Sequence, residues 1–363
     1  MHGSVGIHRI VICAVLAGFF GVLPPQASAQ QGAQVVLPVV DVHVHLIGRR
    51  TPPRDFGGAV KAALEVMDRF AIAKAIVLPP PQIDAHQVSN HVEIAKALRG
   101  HGNRLAYLGG GGSLNPMLHR YADVTAVTED VKRAFAAAAN AVIDAGAAGF
   151  GEMAALHISA RRGHPYEFVP ADHPLLKVLA DVAAARNVPI DLHMDAVAGG
   201  IAPPARFADA DNPPLLPDTL SAITDLLSHN ANARIVWAHG GSDPLGAMTP
   251  ALIDRLMQAH ANLFVSLRIV GAPAPMHNKL LTPDGLDPAW RDLLVRRADR
   301  FMIGTDSFFA AAGREGTGPG FVFAQRNVPK LMAMRRALSL LPPETAGKIA
   351  RDNALRVYRL GAR

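Results

Sequence analysis

The stretch Val39-Val40-Asp41-Val42-His43-Val44-His45-Leu46 reads as a β-strand. Its valines are β-branched and favour extended backbone. Strand side chains alternate every two residues, so Asp41, His43 and His45 are expected on one side. Two imidazoles side by side on a rigid strand can share one metal ion. Alone, an H-x-H is a weak signal. Its meaning depends on what other segments bring to the same place.

Working outward, seven more apolar runs follow: Ala75–Leu78, Leu105–Leu108, Gly149–Met153, Val188–Met194, Ile235–His239, Leu263–Ile269 and Phe301–Asp306. They are near-continuous hydrophobic runs, as in strands covered on both faces. Helical stretches such as Gly58–Phe70, Thr128–Ala145, Pro174–Arg186, Pro217–Ser228 and Pro250–Ala261 lie between them, and Asp287-Pro288 marks a capped helix start. Glu344–Leu360 reads as a closing helix. Strand–helix alternation repeated in this way predicts an α/β fold, a single-domain (β/α)8 TIM barrel over residues 30–363, with an open doubly wound sheet as the alternative. The long connections Thr51–Asp55, Gln82–Ser89, Ala196–Pro217 and Phe308–Phe323 follow strand ends, where barrel enzymes build their sites. The glycine run Gly109–Gly112 lacks dinucleotide-site spacing and reads as close backbone packing.

The N-terminus is set apart from this pattern. His8 and Arg9, the apolar run Ile10–Leu23, Pro24-Pro25 and then Ala27-Ser28-Ala29 form the layout of a secretory signal peptide over residues 1–29. This predicts a periplasmic or secreted protein with no membrane segment after cleavage. The single cysteine, Cys13, lies in that leader, so disulfide, thiolate and cysteine–metal chemistry are excluded from the mature chain. A formal charge of +6 with scattered Lys and Arg, and no basic stripe interleaved with aromatics, argues against a nucleic-acid partner.

The chemistry lies at the strand ends. The first strand offers His43 and His45, the fourth Glu152, the fifth His193, the sixth His239 and the eighth Asp306. An unpartnered polar group at the end of a buried strand is costly, so six of them at one end of a barrel point to a metal site. Imidazole plus carboxylate without sulfur suits Zn2+, with Mn2+, Fe2+ or Co2+ as alternatives. Asp306 can reach both metal and water and is the candidate general base and acid. His239 is either a ligand or a group that polarises a substrate carbonyl.

These motifs resemble the amidohydrolase superfamily. The resemblance rests on D-V-H-V-H, His193, His239 and Gly304-Thr305-Asp306, and it extends to Asn353-Ala354-Leu355-Arg356-Val357-Tyr358-Arg359-Leu360, which is similar to the N-A-x-R-x-(Y/F)-x-L ending of the amidohydrolase-related branch. That branch includes the aminocarboxymuconate semialdehyde decarboxylase group. The resemblance covers nearly the whole mature chain. It implies a metal-dependent barrel in which His43, His45, His193 and Asp306 are ligands and His239 is a ligand or catalytic acid. The fourth strand departs from the commoner patterns, which have a carboxylated lysine or no ligand there. Glu152 stands instead, either bridging two ions or orienting a histidine, so one or two ions are expected.

Further expectations are weaker. Arg268 shares a face with Ser266 and either grips a substrate carboxylate or lies outside the barrel; Trp237 and His157 are candidate substrate contacts, and His277 is a further one from the seventh loop. Asp195 and Asp41 are candidate partners of His193 and His43. His86, His91, His101, His119, His164, His173, His229 and His260 read as surface. The function expected is an exported metal-dependent hydrolase of a C–N amide or a lactone- or ester-type bond in a small molecule. A non-oxidative decarboxylase is the alternative, and a metal-binding protein without activity a third reading. A homodimer fits but nothing in the sequence marks its interface.

Overall fold

The structure is a computed structural model that describes residues 1–2, 36–47, 55–81, 91–271, 275–311 and 327–361. Apart from Met1 and His2, the expected leader lies outside the described residues, as do the connections Gln82–Ser89, 51–54 and 312–326. The chain divides into two units, Met1–Val36 and Leu37–Arg363; the second is described below.

All eight predicted strands are present and pair in chain order. They are Val39–Ile47, Ile72–Val77, Leu105–Tyr107 continued by Gly109–Gly110, Phe150–His157, Pro189–Met194, Arg234–Gly240, Leu263–Leu267, and Phe301–Ile303 continued by Ser307–Ala310. The third strand closes the ring. Leu105–Tyr107 pairs with the second strand and Gly109–Gly110 with the fourth, every barrel pairing being parallel. The sheet is therefore a closed barrel. Gly109 and Gly111 sit where a Cβ would meet Val142 Cγ1 at 2.4 Å and the Pro79 carbonyl oxygen at 2.5 Å, which explains the glycine run.

Helices cover the outside, and their ends are set by the residues the sequence marks. Thr128 caps Glu129–Asp144 by accepting from the Val131 amide, Thr249 caps Pro250–Ala259, and Asp287 caps Pro288–Arg296. The closing helix is Pro343–Gly347 and Asn353–Val357 joined by a π turn, Lys348–Asp352. The Asn353 amide donates to the Ala298 and Phe301 carbonyls, which fastens this helix to the start of the eighth strand.

Two apolar clusters separate the inside from the outside. The larger joins the outward strand residues to the helices. The smaller fills the lumen floor: Val40, Val42, Ile76, Leu78, Val236, Phe264 and Met302 pack with Ala354, Val357 and Tyr358 of the closing helix.

At the mouth the alternation breaks. Asp41 pairs with Ala75 and Ile303, both in the outer cluster, and Val44 pairs with Val77, also outer, with a register shift between Asp41 and Val44. Val42 and His43 consequently both turn inward. Asp41 therefore does not share a side with His43. Its carboxylate instead accepts from the Thr305 amide at 3.0 Å, the Thr305 hydroxyl and the His43 amide, tying the first strand to the eighth from behind.

Candidate metal centre

Three more breaks deliver ligands. The fourth strand has a register shift between Phe150 and Met153, which turns Glu152 inward beside Gly151. His239 has φ 73° and Asp306 has φ 53°, left-handed backbone that histidine and aspartate tolerate better than most residues but that still strains an L residue. Only His45 and His193 reach the lumen by plain alternation. All five histidine and glutamate donors are buried, at 0% for His43, 1% for His45, 3% for Glu152, 8% for His193 and 7% for His239.

The hydrogen bonds fix which nitrogens face inward. His45 Nδ1 lies 2.9 Å from the Leu78 carbonyl, so it carries the proton and leaves a lone pair on Nε2. His43 Nδ1 faces the Asp191 carboxylate at 3.2 and 3.3 Å, with the same result. The two Nε2 atoms then stand 3.2 Å apart, each 3.5 Å from Glu152 Oε2, and His45 Nε2 is 3.5 Å from Asp306 Oδ1. With both rings neutral, four acceptor atoms converge there, an arrangement that a metal cation satisfies.

A second group forms on the other side of Glu152. Oε1 lies 2.6 Å from His193 Nδ1 and 3.3 Å from His239 Nε2, and those nitrogens are 3.2 Å apart. His193 Nε2 faces Asp195 at 3.7 Å, as a partner that orients the ring. The ligand atoms of His43, Glu152 and His239, and those of His43, His45 and Asp306, each lie within 4.8 Å of one another. One carboxylate thus has an oxygen toward each pair of histidines.

The Amidohydro_2 family profile, described as amidohydrolase, matches residues 40–360. The chain belongs to the amidohydrolase family. It is an enzyme of the amidohydrolase superfamily, which includes hydrolases and decarboxylases, and the family together with the donor set marks a divalent-metal site. No curated protein matches the chain. Among solved structures it is similar to 2,6-dihydroxybenzoate decarboxylase complexed with 2,6-dihydroxybenzoate, at 14% identity over 89% of this chain and 99% of that one, with a TM-score of 0.48. It is similar to a dihydroxybenzoic acid decarboxylase from Polaromonas sp. JS666 with bound manganese and 2-nitroresorcinol, at 12% identity over 90% and 98%, TM-score 0.47. It is also similar to dihydroorotase from Campylobacter jejuni, at 15% identity over 90% and 84%, TM-score 0.46. These likenesses say nothing about substrate.

The site of this amidohydrolase is strongly charge-coupled. Burial opposes ionisation of Glu152, but His43, His193 and His239 outweigh it and hold the carboxyl well below its ordinary range. Burial likewise opposes the Asp306 carboxylate, yet His45, Lys330, His239 and Arg268 hold it well below the usual value. Burial and the Arg268 charge keep His239 neutral. Burial disfavours the His193 cation, but Asp195 and Glu152 raise that ring to about 10.

Arg268 faces the lumen. Nη1 donates to Asp306 Oδ2 at 2.9 Å, Nε to Ser242 Oγ at 3.2 Å and Nη2 to the Ser242 carbonyl at 3.3 Å. The exterior alternative is therefore wrong. Lys330 Nζ donates to the Asp306 carbonyl, so two cations hold this residue. His157, at the end of the fourth strand, stands with its ring centroid 4.7 Å from that of His193, and burial pushes it down to about 3, which keeps it neutral.

Trp237 is not a substrate contact. It pairs with Leu192 and Val265 in the outer cluster, is 0% exposed, and its indole donates to the Met194 carbonyl at 2.7 Å. The left-handed turn at His239 breaks the alternation that would have put the two on one side. His173 is not on the surface either. It is fully buried and caps Pro174–Arg186 through Nδ1, while Nε2 donates to the Tyr121 carbonyl at 2.7 Å. His119 and His164 are half-buried, His164 with its ring 4.8 Å from His157. His277 holds Asp243 through backbone pairing and does not meet the ligands.

Lys330, Ser242, Asp191 and Glu167 are site residues that escaped the sequence reading. Asp191, the partner of His43, stands two positions before His193, so the same alternation that placed His193 was the signal for it. Glu167 is buried at 2% with Oε2 unpartnered among the described residues, and it stands across from His157 on the short strand Glu167–Phe168. Burial pushes its carboxyl up to about 7. No spacing rule ties it to the ligands.

Proposed function

We propose that this amidohydrolase-family enzyme is an exported metal-dependent hydrolase that cleaves a C–N amide or a lactone- or ester-type bond of a small molecule. The observation that carries the reading is Glu152, with one oxygen toward His43 and His45 and the other toward His193 and His239. A carboxylate so placed would serve two divalent ions at once. His43, His45, Glu152 and Asp306 would hold one ion, and Glu152, His193 and His239 the other. Zn2+ suits these nitrogen and oxygen donors best. Bound there, the metal supplies Lewis acidity that polarises a substrate oxygen and acidifies water.

The protein groups divide the remaining work. Asp306, ionised and held by Arg268 and Lys330, takes the proton from the attacking water at its carboxylate and passes it to the leaving group. Asp191 and Asp195 keep the His43 and His193 rings oriented. Export is supported by the leader-like composition of residues 1–29.

A decarboxylase is the second reading, and the inward Arg268 favours it, because two of its five N–H groups remain to hold a carboxylate. A metal-replete screen of amide, lactone, ester and aromatic-acid substrates separates the two. Oxygen-18 from water in the product supports hydrolysis, and CO2 release without it supports the lyase. Metal analysis of Glu152→Gln tests the bridge: stoichiometry should fall from two to one, and a wild-type stoichiometry of one removes it. Mass analysis of exported protein should find Gln30 first; an intact Met1 removes the leader reading.

A further inference from the structure

Beneath the ligand ring, three buried polar atoms from three separate elements have no hydrogen-bond partner among the described residues. They are Asp191 Oδ1, Ser266 Oγ and Tyr358 Oη. Asp191 and Ser266 are 0% exposed and Tyr358 is 3% exposed. Asp191 and Ser266 both lie beside His43, and Tyr358 lies within reach of the Asp191 charge. A Cβ at Gly151 would meet Asp191 Cβ, Leu108 and Leu78 at 2.9, 2.9 and 3.0 Å, and Leu78 and Leu108 pack in the cluster that holds Tyr358. A Cβ at Gly304 would meet Ser266 Oγ at 3.0 Å and His43 Cβ at 3.1 Å. Burial raises the Tyr358 phenol, and the nearby Asp191 charge raises it further.

A buried hydroxyl or carboxylate oxygen without a partner is costly, and native interiors seldom gather three. A buried water with two to four polar partners is the usual resolution. Asp191 Oδ1 is also free in direction. It lies 3.2 Å from His43 Nδ1 but off the N–H axis, while Oδ2 takes that hydrogen bond.

We infer that Asp191, Ser266 and Tyr358 hold a buried water under the metal centre, through which the closing helix fixes the carboxylate that orients His43. Tyr358 and Ser266 donate to this water or accept from it, the water donates to Asp191 Oδ1, and Asp191 Oδ2 accepts from His43. Asp191 and Tyr358 are positioning residues. The closing helix is then more than a plug for the barrel floor, because its tyrosine hydroxyl is the far end of a chain that reaches a ligand. Only the last link, to the metal, rests on the functional reading above.

The test uses the full chain and two readouts. The melting temperature of metal-free protein and the Zn2+ dissociation constant, by chelator competition, are measured for wild type, Tyr358→Phe, Ser266→Ala, Asp191→Asn and the Tyr358→Phe/Asp191→Asn double variant. Tyr358→Phe keeps the shape and removes one hydroxyl. It should lower the melting temperature and weaken Zn2+ binding about 3–10-fold, the scale of one hydrogen bond. Ser266→Ala should move both readouts the same way. Asp191→Asn should weaken Zn2+ about 10–100-fold. The double variant should bind no more weakly than Asp191→Asn alone, because the tyrosine acts through that carboxylate. A rise in melting temperature in both hydroxyl variants overturns the water, since deleting an orphaned group relieves a cost. Fully additive losses in the double variant overturn the route through Asp191. A wild type that takes up no Zn2+ overturns the metal reading, and the melting comparison still decides the water.

Discussion

On the floor of the barrel, Val40, Ile76, Val236, Phe264 and Met302 follow the two-residue alternation of their strands and pack under Ala354, Val357 and Tyr358. At the mouth, the first and fourth strands carry register shifts, and His239 and Asp306 take left-handed backbone. The floor serves packing, where regular pleating gives the best burial. The mouth has to aim donors from five strands at one small volume, and regular pleating sends some of them outward. The breaks that deliver ligands thus lie at the end that does chemistry, and the floor holds the barrel closed beneath it.

The largest contrast comes from Asp306→Asn at the mouth. Removing a positioned acid–base group should lower kcat about 10²–10⁴-fold with the melting temperature nearly unchanged, as read by steady-state kinetics beside thermal unfolding. Phe264→Ala on the floor should do the reverse. It should cost about 3–5 kcal/mol of stability in urea titrations and leave the Zn2+ dissociation constant within a few-fold. If both variants lose metal and stability together, the floor and mouth are one unit and the contrast fails.

A milder break probes a region outside both. His119 donates to the Ala154 carbonyl at 3.2 Å, and burial lowers it to about 4. The folded state keeps the ring neutral while the unfolded chain protonates near 6.5. Its contribution is therefore complete above about pH 6.5 and is lost as pH falls toward 4. Urea titrations of metal-free wild type and His119→Gln should diverge across that window by about 2 kcal/mol, after discounting for partial exposure. Parallel curves would mean the ring stays solvated. The smallest effect concerns backbone. His239→Val should be less stable than His239→Asn by about 1–2 kcal/mol, because a β-branched residue tolerates φ 73° poorly. Equal stabilities would show that the left-handed turn relaxes freely.

This division also explains what the sequence revealed. Eight apolar runs, the caps at Thr128, Thr249 and Asp287, and six polar residues at strand ends were readable because burial and capping act on short, regular patterns. Asp41 and Trp237 were misplaced because each was read by alternation across a break that no local residue type announces. His173 was misread because a histidine can cap a helix in place of Ser or Asp. Asp191 was legible and overlooked. Glu167 was not, since its place depends on an antiparallel pairing of Glu167–Phe168 with the end of the fourth strand.

The two-sided placement of Glu152 has a consequence for filling. Two cations sharing one carboxylate also repel each other, and the second to arrive meets an anion already committed to the first. Loading should therefore be sequential and negatively cooperative, with a tight first ion and a weaker second one, and a calorimetric titration should show two resolved phases. In metal-poor surroundings the enzyme would then sit half-filled, and the free metal concentration around it, rather than substrate alone, would set how much of it is competent.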